Sequence, residues 1–150
     1  MSLRAVSLAA LVVLLGTCGA INSEARGQRN SDFSLTDVRV QLSNKLPAVS
    51  VSRVRSGEWF WVGFYTYFPR RIKSQIVLRY AICHDGHVVA EFKSVVLEHG
   101  VPAGSTVSST PFKHRLQPRA GLTDGSCTIV AALIADGRYI TRTRQFTVYR

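Results

Sequence analysis

The sequence predicts an all-β fold, a single antiparallel β-sandwich of about seven strands over residues 33–150. Three observations predict it. Short segments alternate between the two faces of a strand with period two, and Asp-Gly pairs at 85–86 and 136–137 separate two pairs of such segments. No segment of useful length combines helical periodicity with helix caps.

Each strand is predicted from its own alternation and terminators. Phe33–Leu42 changes phase midway, which indicates a bulge, and Ala48–Val54 after Pro47 is a weaker strand. Trp59–Phe68 is rich in aromatic residues and ends at Pro69. The remaining predicted strands are Gln75–Cys83, Val88–Leu97, Thr106–Phe112, Cys127–Ala135 and Tyr139–Tyr149.

The amino terminus has the layout of a secretory signal peptide. A basic start, Met1–Arg4, precedes the apolar stretch Ala5–Leu15 and the small residues Gly16–Ala20. The apolar stretch is shorter than the roughly 20 residues that a spanning helix needs, and no later segment of the sequence is long enough either. We expect a signal peptide over residues 1–20, a flexible linker over 21–32, and a secreted, periplasmic or cell-envelope protein.

An alternative for the same region is a lipid anchor. Leu15–Cys18 is similar to a degenerate bacterial lipobox, in which Cys18 would be acylated. Thr17 is unusual immediately before a lipidated cysteine, so the sequence favours plain cleavage after Ala20.

The layout of the strands resembles immunoglobulin-like and fibronectin type III-like domains. If Ala48–Val54 extends the first strand, Gln75–Cys83 is the third strand, and the resemblance implies that it lies beside the penultimate strand, Cys127–Ala135. The chain departs from the antibody pattern because Gln75–Cys83 lacks a Trp, and because Gly125 stands two residues before Cys127. The resemblance concerns architecture and implies little about function.

A disulfide is predicted from the cysteine count. Only Cys83 and Cys127 remain after removal of the leader, and an even pair in an exported protein indicates one bridge. The resemblance above places Cys83 and Cys127 close together, although the predicted bridge joins neighbouring strands rather than the two sheets.

The segment Glu58–Phe68 supplies the main functional signal. The two faces of the predicted strand carry different sets of side chains. One face carries Phe60, Val62, Phe64 and Phe68, with Thr66 among them, and the opposite face carries Trp59, Trp61, Tyr65 and Tyr67, with Gly63 among them. A two-layer fold buries one set, so the rings predict an outward binding face. Two alternatives remain: the amino-terminal segment or the loop Lys113–Ser126 covers the rings, or the phase is inverted.

Charge predicts the chemistry of the partner. The formal net charge is +10, or +9 without the single Arg of the leader, and such a chain is attracted to anionic surfaces, although the charge alone could serve solubility. Arg79, Arg142 and Arg144 are predicted to form a basic strip on an outer sheet face. The alternative for these residues is a solvated face.

Catalytic and metal chemistry find little support in the sequence. It contains no Gly-rich phosphate loop, nucleophile elbow or HExxH motif, and the segment His84–His87 is better explained as a hairpin than as a metal site. Nothing resembles a nucleic-acid module. We therefore expect no enzyme activity, cofactor or metal. We expect a binding module for a protein or an anionic glycan, with a structural accessory subunit of an envelope assembly as the alternative.

Overall fold

The computed structural model describes residues 33–45, 49–84, 87–116 and 125–150. Within these ranges the chain forms nine strands and no helix. The described residues therefore include no helix that is long and apolar enough to cross a membrane. Four predicted features lie outside these ranges: the signal peptide 1–20, the linker 21–32, the lipid-anchor residue Cys18 and the turn Asp85–Gly86.

The strands form a four-stranded and a five-stranded sheet that enclose one core. They are β1 (Ser34–Gln41), β2 (Arg53–Arg55), β3 (Trp59–Phe68), β4 (Ile76–His84), β5 (His87–Glu98), β6 (Ser105–Ser108), β7 (Phe112–Arg115), β8 (Gly125–Ala135) and β9 (Arg138–Tyr149). In the four-stranded sheet, β1 lies on one side of β3, and both β6 and β7 lie on the other. The five-stranded sheet has the order β2-β9-β8-β4-β5. The predicted all-β sandwich is confirmed.

The core contains aromatic contacts between the two sheets. The ring of Phe64 lies 4.8 Å from that of Tyr80, and the ring of Phe60 lies 5.6 Å from that of Phe146. The Tyr80 hydroxyl lies 2.8 Å from Nε2 of His114, so a buried hydrogen bond also joins β4 to β7. Burying both polar groups is favourable because each supplies a partner to the other.

Of two expectations about the first strands, one is confirmed and one is wrong. The bulge predicted in the first strand is confirmed, since the register of β1 against β3 shifts between Leu35 and Asp37. Within the predicted weaker strand Ala48–Val54, the described residues form only the start of β2, and the assumption that it extends the first strand is wrong because Arg53–Arg55 pairs in parallel with β9 in the other sheet. Hydrogen bonds from Val51 N to Val40 O (2.7 Å) and from Thr147 N to Ser52 O (2.8 Å) show where the chain crosses between the sheets.

The predicted strand Thr106–Phe112 is instead two short strands along one edge of β3. β6 pairs with the carboxyl-terminal half of β3 and β7 with its amino-terminal half. Between them, Ser109 bonds to Phe64 through both its backbone and its hydroxyl, and Pro111 offers no N–H to a ladder.

The predicted Cys83–Cys127 disulfide is wrong. β4 and β8 are antiparallel neighbours, as expected, but His84 lies opposite Cys127 and Cys83 lies opposite Thr128. Because successive side chains of a strand point to opposite faces, Cys127 faces the core and Cys83 faces away from it. Cys127 is a buried thiol whose Sγ lies 3.7 Å from Nδ1 of His84.

Alkylation of the denatured, unreduced protein tests this assignment of Cys127. We expect the tryptic peptide 120–138, which contains Cys127, to carry the alkyl label without prior reduction, because this sulfur is a thiol. A sample that is reduced before alkylation is the control. Recovery of peptide 120–138 covalently linked to peptide 80–93, which contains Cys83, would contradict the structure.

Tyr80→Phe tests the buried bond between the sheets. Removing the hydroxyl should lower the free energy of unfolding by about 1–3 kcal/mol, because the bond to His114 is lost inside the core. Urea unfolding measures the change. Tyr139→Phe, at a half-buried tyrosine of β9, is the control and should cost less than about 0.5 kcal/mol. Equal stability of both variants would show that the bond is not formed.

Candidate binding face

The alternation of β3 separates a core face from an outer face. Phe60, Val62, Phe64 and Phe68 are fully buried, whereas Trp59 is 48% and Tyr67 is 40% exposed, with Trp61 and Tyr65 partly exposed between them. The predicted phase is confirmed, and the inverted phase is wrong. We call the outward rings of Trp59, Trp61, Tyr65 and Tyr67 the aromatic face.

The neighbours of β3 explain why these rings stay at the surface. Residues 113–115, which begin the loop Lys113–Ser126 considered above as a cover for the rings, belong to β7 and lie beside β3 in the same sheet. A strand in the same sheet extends the face and does not cover it. Residues 117–124 of that predicted loop lie outside the described ranges.

β7 places two cations against the tryptophans. In the register, Lys113 lies opposite Trp61 and Arg115 opposite Trp59. The Lys113 ammonium lies 4.3 Å from the centre of the Trp59 ring and 5.7 Å from that of Trp61, and the Arg115 guanidinium lies 5.5 Å from that of Trp59. These are cation–π distances. Arg115 Nε also donates to the Gly57 carbonyl at 2.6 Å, which fixes the position of its guanidinium.

β1 supplies a third cation on the other side of β3. The guanidinium of Arg39 lies 4.3 Å from the centre of the Tyr65 ring, and its Nε donates to Asp37 Oδ2 at 2.7 Å. The hydrogen bond to Asp37, opposed by partial burial and aided by Tyr65, raises the pKa of Arg39 above its ordinary value. An arginine is charged at every physiological pH, so this side chain contributes a permanent cation beside Tyr65.

The residues that surround the aromatic face thus carry more positive than negative charge. Lys113, Arg115 and Arg39 contribute three cations to the outer side of the sheet, and Asp37 contributes one carboxylate, so these four residues sum to +2. A cation held over a ring keeps its charge and presents donors beside an apolar surface. The arrangement can bind a ligand that combines apolar faces with anionic groups.

The predicted basic strip of Arg79, Arg142 and Arg144 is wrong. Arg142 and Arg144 lie opposite Ala131 and Ile129, whose side chains face the core, whereas Arg79 lies opposite Ala132, on the other face of the same sheet. None of the three belongs to the aromatic face.

Arg142 has a structural role at the bulge of β1. Its guanidinium donates to the carbonyl oxygen of Leu35 at 2.8 Å and also to that of Thr36. A bulge leaves backbone groups outside the ladder, and this arginine satisfies them from the facing sheet. Such a contact explains how a charged residue lies at the inner edge of the sandwich.

The histidines at the β4–β5 turn differ in their environment. His84 is buried and its Nδ1 lies 3.0 Å from the Ser126 carbonyl oxygen, whereas His87 is exposed. Across the described ranges, His, Cys, Asp and Glu side chains form no group of three that could hold a metal ion.

No protein-family model and no curated protein sequence matches this chain. Solved structures do match. The C-terminal domain of Wzt aligns with a TM-score of 0.55 at 12% identity, over 81% of this chain and 75% of that one. The CARDB domain of a Pyrococcus furiosus protein aligns with a TM-score of 0.51 at 11% identity, over 79% of this chain and 94% of that one.

A third structure is larger than this chain. The alkylpurine DNA glycosylase AlkC of Pseudomonas fluorescens aligns with a TM-score of 0.48 at 14% identity, over 79% of this chain but only 31% of the glycosylase. At such identities the likenesses bear on the fold alone. Together with the two sheets, the Wzt and CARDB domains define the chain as an all-β, immunoglobulin-like sandwich.

The contribution of β7 was missed by the sequence analysis, although a signal for it exists. In Phe112–Leu116 the apolar ends and His114 alternate with the cations Lys113 and Arg115, which is the period-two pattern of a strand. Assigning Lys113 and Arg115 to a loop hid the fact that both cations flank the aromatic face.

A pair of adjacent substitutions tests which side of β3 supports the fold. Phe60→Ala should lower the free energy of unfolding by about 3–5 kcal/mol, because a fully buried ring leaves a cavity. Trp59→Ala should cost less than about 1 kcal/mol, because the ring is half exposed. Chemical denaturation measures both values. A larger loss for Trp59→Ala than for Phe60→Ala would place the tryptophan in the core.

Proposed function

We propose that this chain is an exported, non-catalytic binding module that recognises an anionic glycan through the aromatic face. The observation that carries the proposal is the position of the Lys113 ammonium over both Trp59 and Trp61. This position brings together, in one patch of surface, the aromatic rings and the cation that an acidic sugar chain requires.

The rings supply the apolar part of such recognition. The C–H faces of a sugar ring are apolar, and a large aromatic side chain that stays at the surface offers a flat partner for them. Trp59 and Tyr67 lie at opposite ends of β3, which spans about 30 Å at the usual rise of a strand. A row of this length suits an extended oligosaccharide better than a single small molecule.

The cations supply the polar part. Sulfate, phosphate and carboxylate groups accept charge-assisted hydrogen bonds from ammonium and guanidinium groups, which are stronger than neutral ones. Lys113 and Arg115 flank the tryptophans on one side, and Arg39 flanks Tyr65 on the other. An anionic group on a sugar stacked on β3 would therefore meet a donor on either side.

The residue composition of the surface around Trp59 favours a glycan over a protein partner. The centre of a protein interface is enriched in aromatic residues and arginine but depleted in lysine, so Lys113 is the residue of this patch that argues against a protein partner. Here the exposed ring of Trp59 has cations within 6 Å. A hydrated, highly charged partner surface fits this patch better than an apolar protein surface.

A second candidate is a structural subunit of an envelope assembly. β5 has twelve residues, ends the order of the five-stranded sheet, and exposes 44% of both Val88 and Val96. An edge strand of this length could pair with a strand of another chain. Stoichiometric co-purification with a membrane complex, unaffected by substitution of Trp59 and Trp61, would favour this candidate.

Calorimetric titration with a heparin oligosaccharide tests the glycan proposal. We expect the double variant Trp59→Ala, Trp61→Ala to weaken binding about tenfold or more without changing the net charge. Lys113→Gln should weaken binding by about fivefold, because the cation next to the rings is lost. Arg53→Gln removes one charge from an exposed arginine over Tyr149, outside the aromatic face, and should change affinity by less than about twofold.

The matched charge control decides the outcome. If Lys113→Gln and Arg53→Gln weaken heparin binding equally and the double tryptophan variant binds like the parent protein, attraction depends on net charge alone and the proposal is wrong. An uncharged dextran oligosaccharide is the ligand control, and tight binding of dextran would contradict the role assigned to the cations.

A further inference from the structure

A second feature of the surface is a cleft at the opposite end of β3 from Trp59. It has a volume of about 190 Å³ and is lined by Phe33, Arg70, Arg71, Ile72, Asp136 and Arg138. The β3–β4 connection forms one wall, and the β8–β9 hairpin forms the other. Phe33 and Ile72 are buried and provide an apolar floor, while the three arginines are exposed.

The first wall is held in place by backbone hydrogen bonds. Ile72 and Val101 form an isolated bridge in which each N–H donates to the other's carbonyl, at 2.9 and 3.0 Å. The segment that presents Arg70 and Arg71 is therefore anchored directly beside them. Because this segment is already ordered before a ligand binds, it loses less conformational entropy on binding.

The second wall is a tight turn tied to the first. Asp136 and Gly137 both have positive φ, 47° and 71°, as the predicted Asp-Gly hairpin requires. Oδ1 of Asp136 accepts from Ser74 N at 2.9 Å and from Lys73 N at 3.3 Å, and Asp136 N donates to Ser74 Oγ at 2.7 Å. Two backbone donors thus engage the one carboxylate of the cleft, and they tie it to the β3–β4 connection.

Charge then determines which ligand fits. Three arginines and one aspartate are among the six lining residues, so the lining carries a formal charge of +2. Guanidinium groups bind tetrahedral oxyanions through paired N–H donors. The volume equals about six waters at roughly 30 Å³ each, which accommodates such an anion with part of its hydration or its ester group.

We infer that this cleft is a second binding site, specific for a tetrahedral oxyanion, either free phosphate or the sulfate or phosphate group of a larger molecule. The inference goes beyond the proposed function because the site shares no residue with the aromatic face. Arg70, Arg71 and Arg138 bind the anion, and Asp136 positions the walls.

Amide chemical shifts of the isotope-labelled protein test the inference. Titration with sodium phosphate, against sodium chloride at matched ionic strength, should shift the Ile72 and Gly137 amides in a saturable manner and leave the Trp59 and Trp61 indole N–H signals unchanged. Arg71→Gln and Arg138→Gln should each weaken phosphate binding by about threefold or more. Arg53→Gln, which removes the same charge elsewhere, should leave it within about twofold.

A second titration with the heparin oligosaccharide distinguishes the sources of the anion. Shifts of the cleft amides by both ligands would assign the site to esters as well as free ions, and shifts by phosphate alone would assign it to a small anion. Absence of a saturable phosphate shift beyond that of chloride, or equal weakening by Arg53→Gln, would overturn the inference. The indole signals report on the aromatic face independently, so either site can fail without the other.

Discussion

The regular alternation of β3 determines which side chains form the core of the sandwich and which form its outer surface. All ten residues of this strand pair in the middle of the four-stranded sheet, and the one shift in register against β1 is absorbed by β1. Every even-numbered side chain from Phe60 to Phe68 is therefore buried, and the large odd-numbered side chains are forced outward. The fold needs the first set for its core. The second set lies outside the core, and its large rings at the surface are the basis of the proposed binding role.

The cations around these rings follow from the pairing of short strands along β3. β7 has only four residues, yet its register places Lys113 and Arg115 on the tryptophan side and turns His114 inward to Tyr80. The hydrogen bond between Tyr80 and His114 thus helps to hold the strand that carries the cations. Packing in the core and the chemistry of the surface are linked through alternate residues of a single segment.

The sequence predicted the parts of the fold that depend on local pattern. Alternation identified β3 with its full bounds, the bulge of β1 and the Asp136-Gly137 turn, because each is set by neighbouring residues. Features set by long-range register could not be predicted. The disulfide failed because a one-residue offset between β4 and β8 turns Cys83 and Cys127 to opposite faces. The basic strip failed because the register of β4, β8 and β9 places Arg79 on the opposite face from Arg142 and Arg144. Arg142 bonds instead to carbonyl groups of β1, and Thr36 lies 106 positions before it in the chain. Of the candidate site, the rings were predicted and their cations were not.

The chain contains only two tryptophans, and both lie on the aromatic face. Their fluorescence therefore reports on this surface alone. Quenching of this emission by iodide and by caesium, with and without a heparin oligosaccharide and with N-acetyltryptophanamide as the reference, shows whether these indoles form a cationic surface. We expect red-shifted emission, a ratio of iodide to caesium quenching above that of the reference because Lys113 and Arg115 attract anions, and protection by heparin. Blue-shifted emission that neither ion quenches would show that the indoles are sealed from solvent and that no such surface exists.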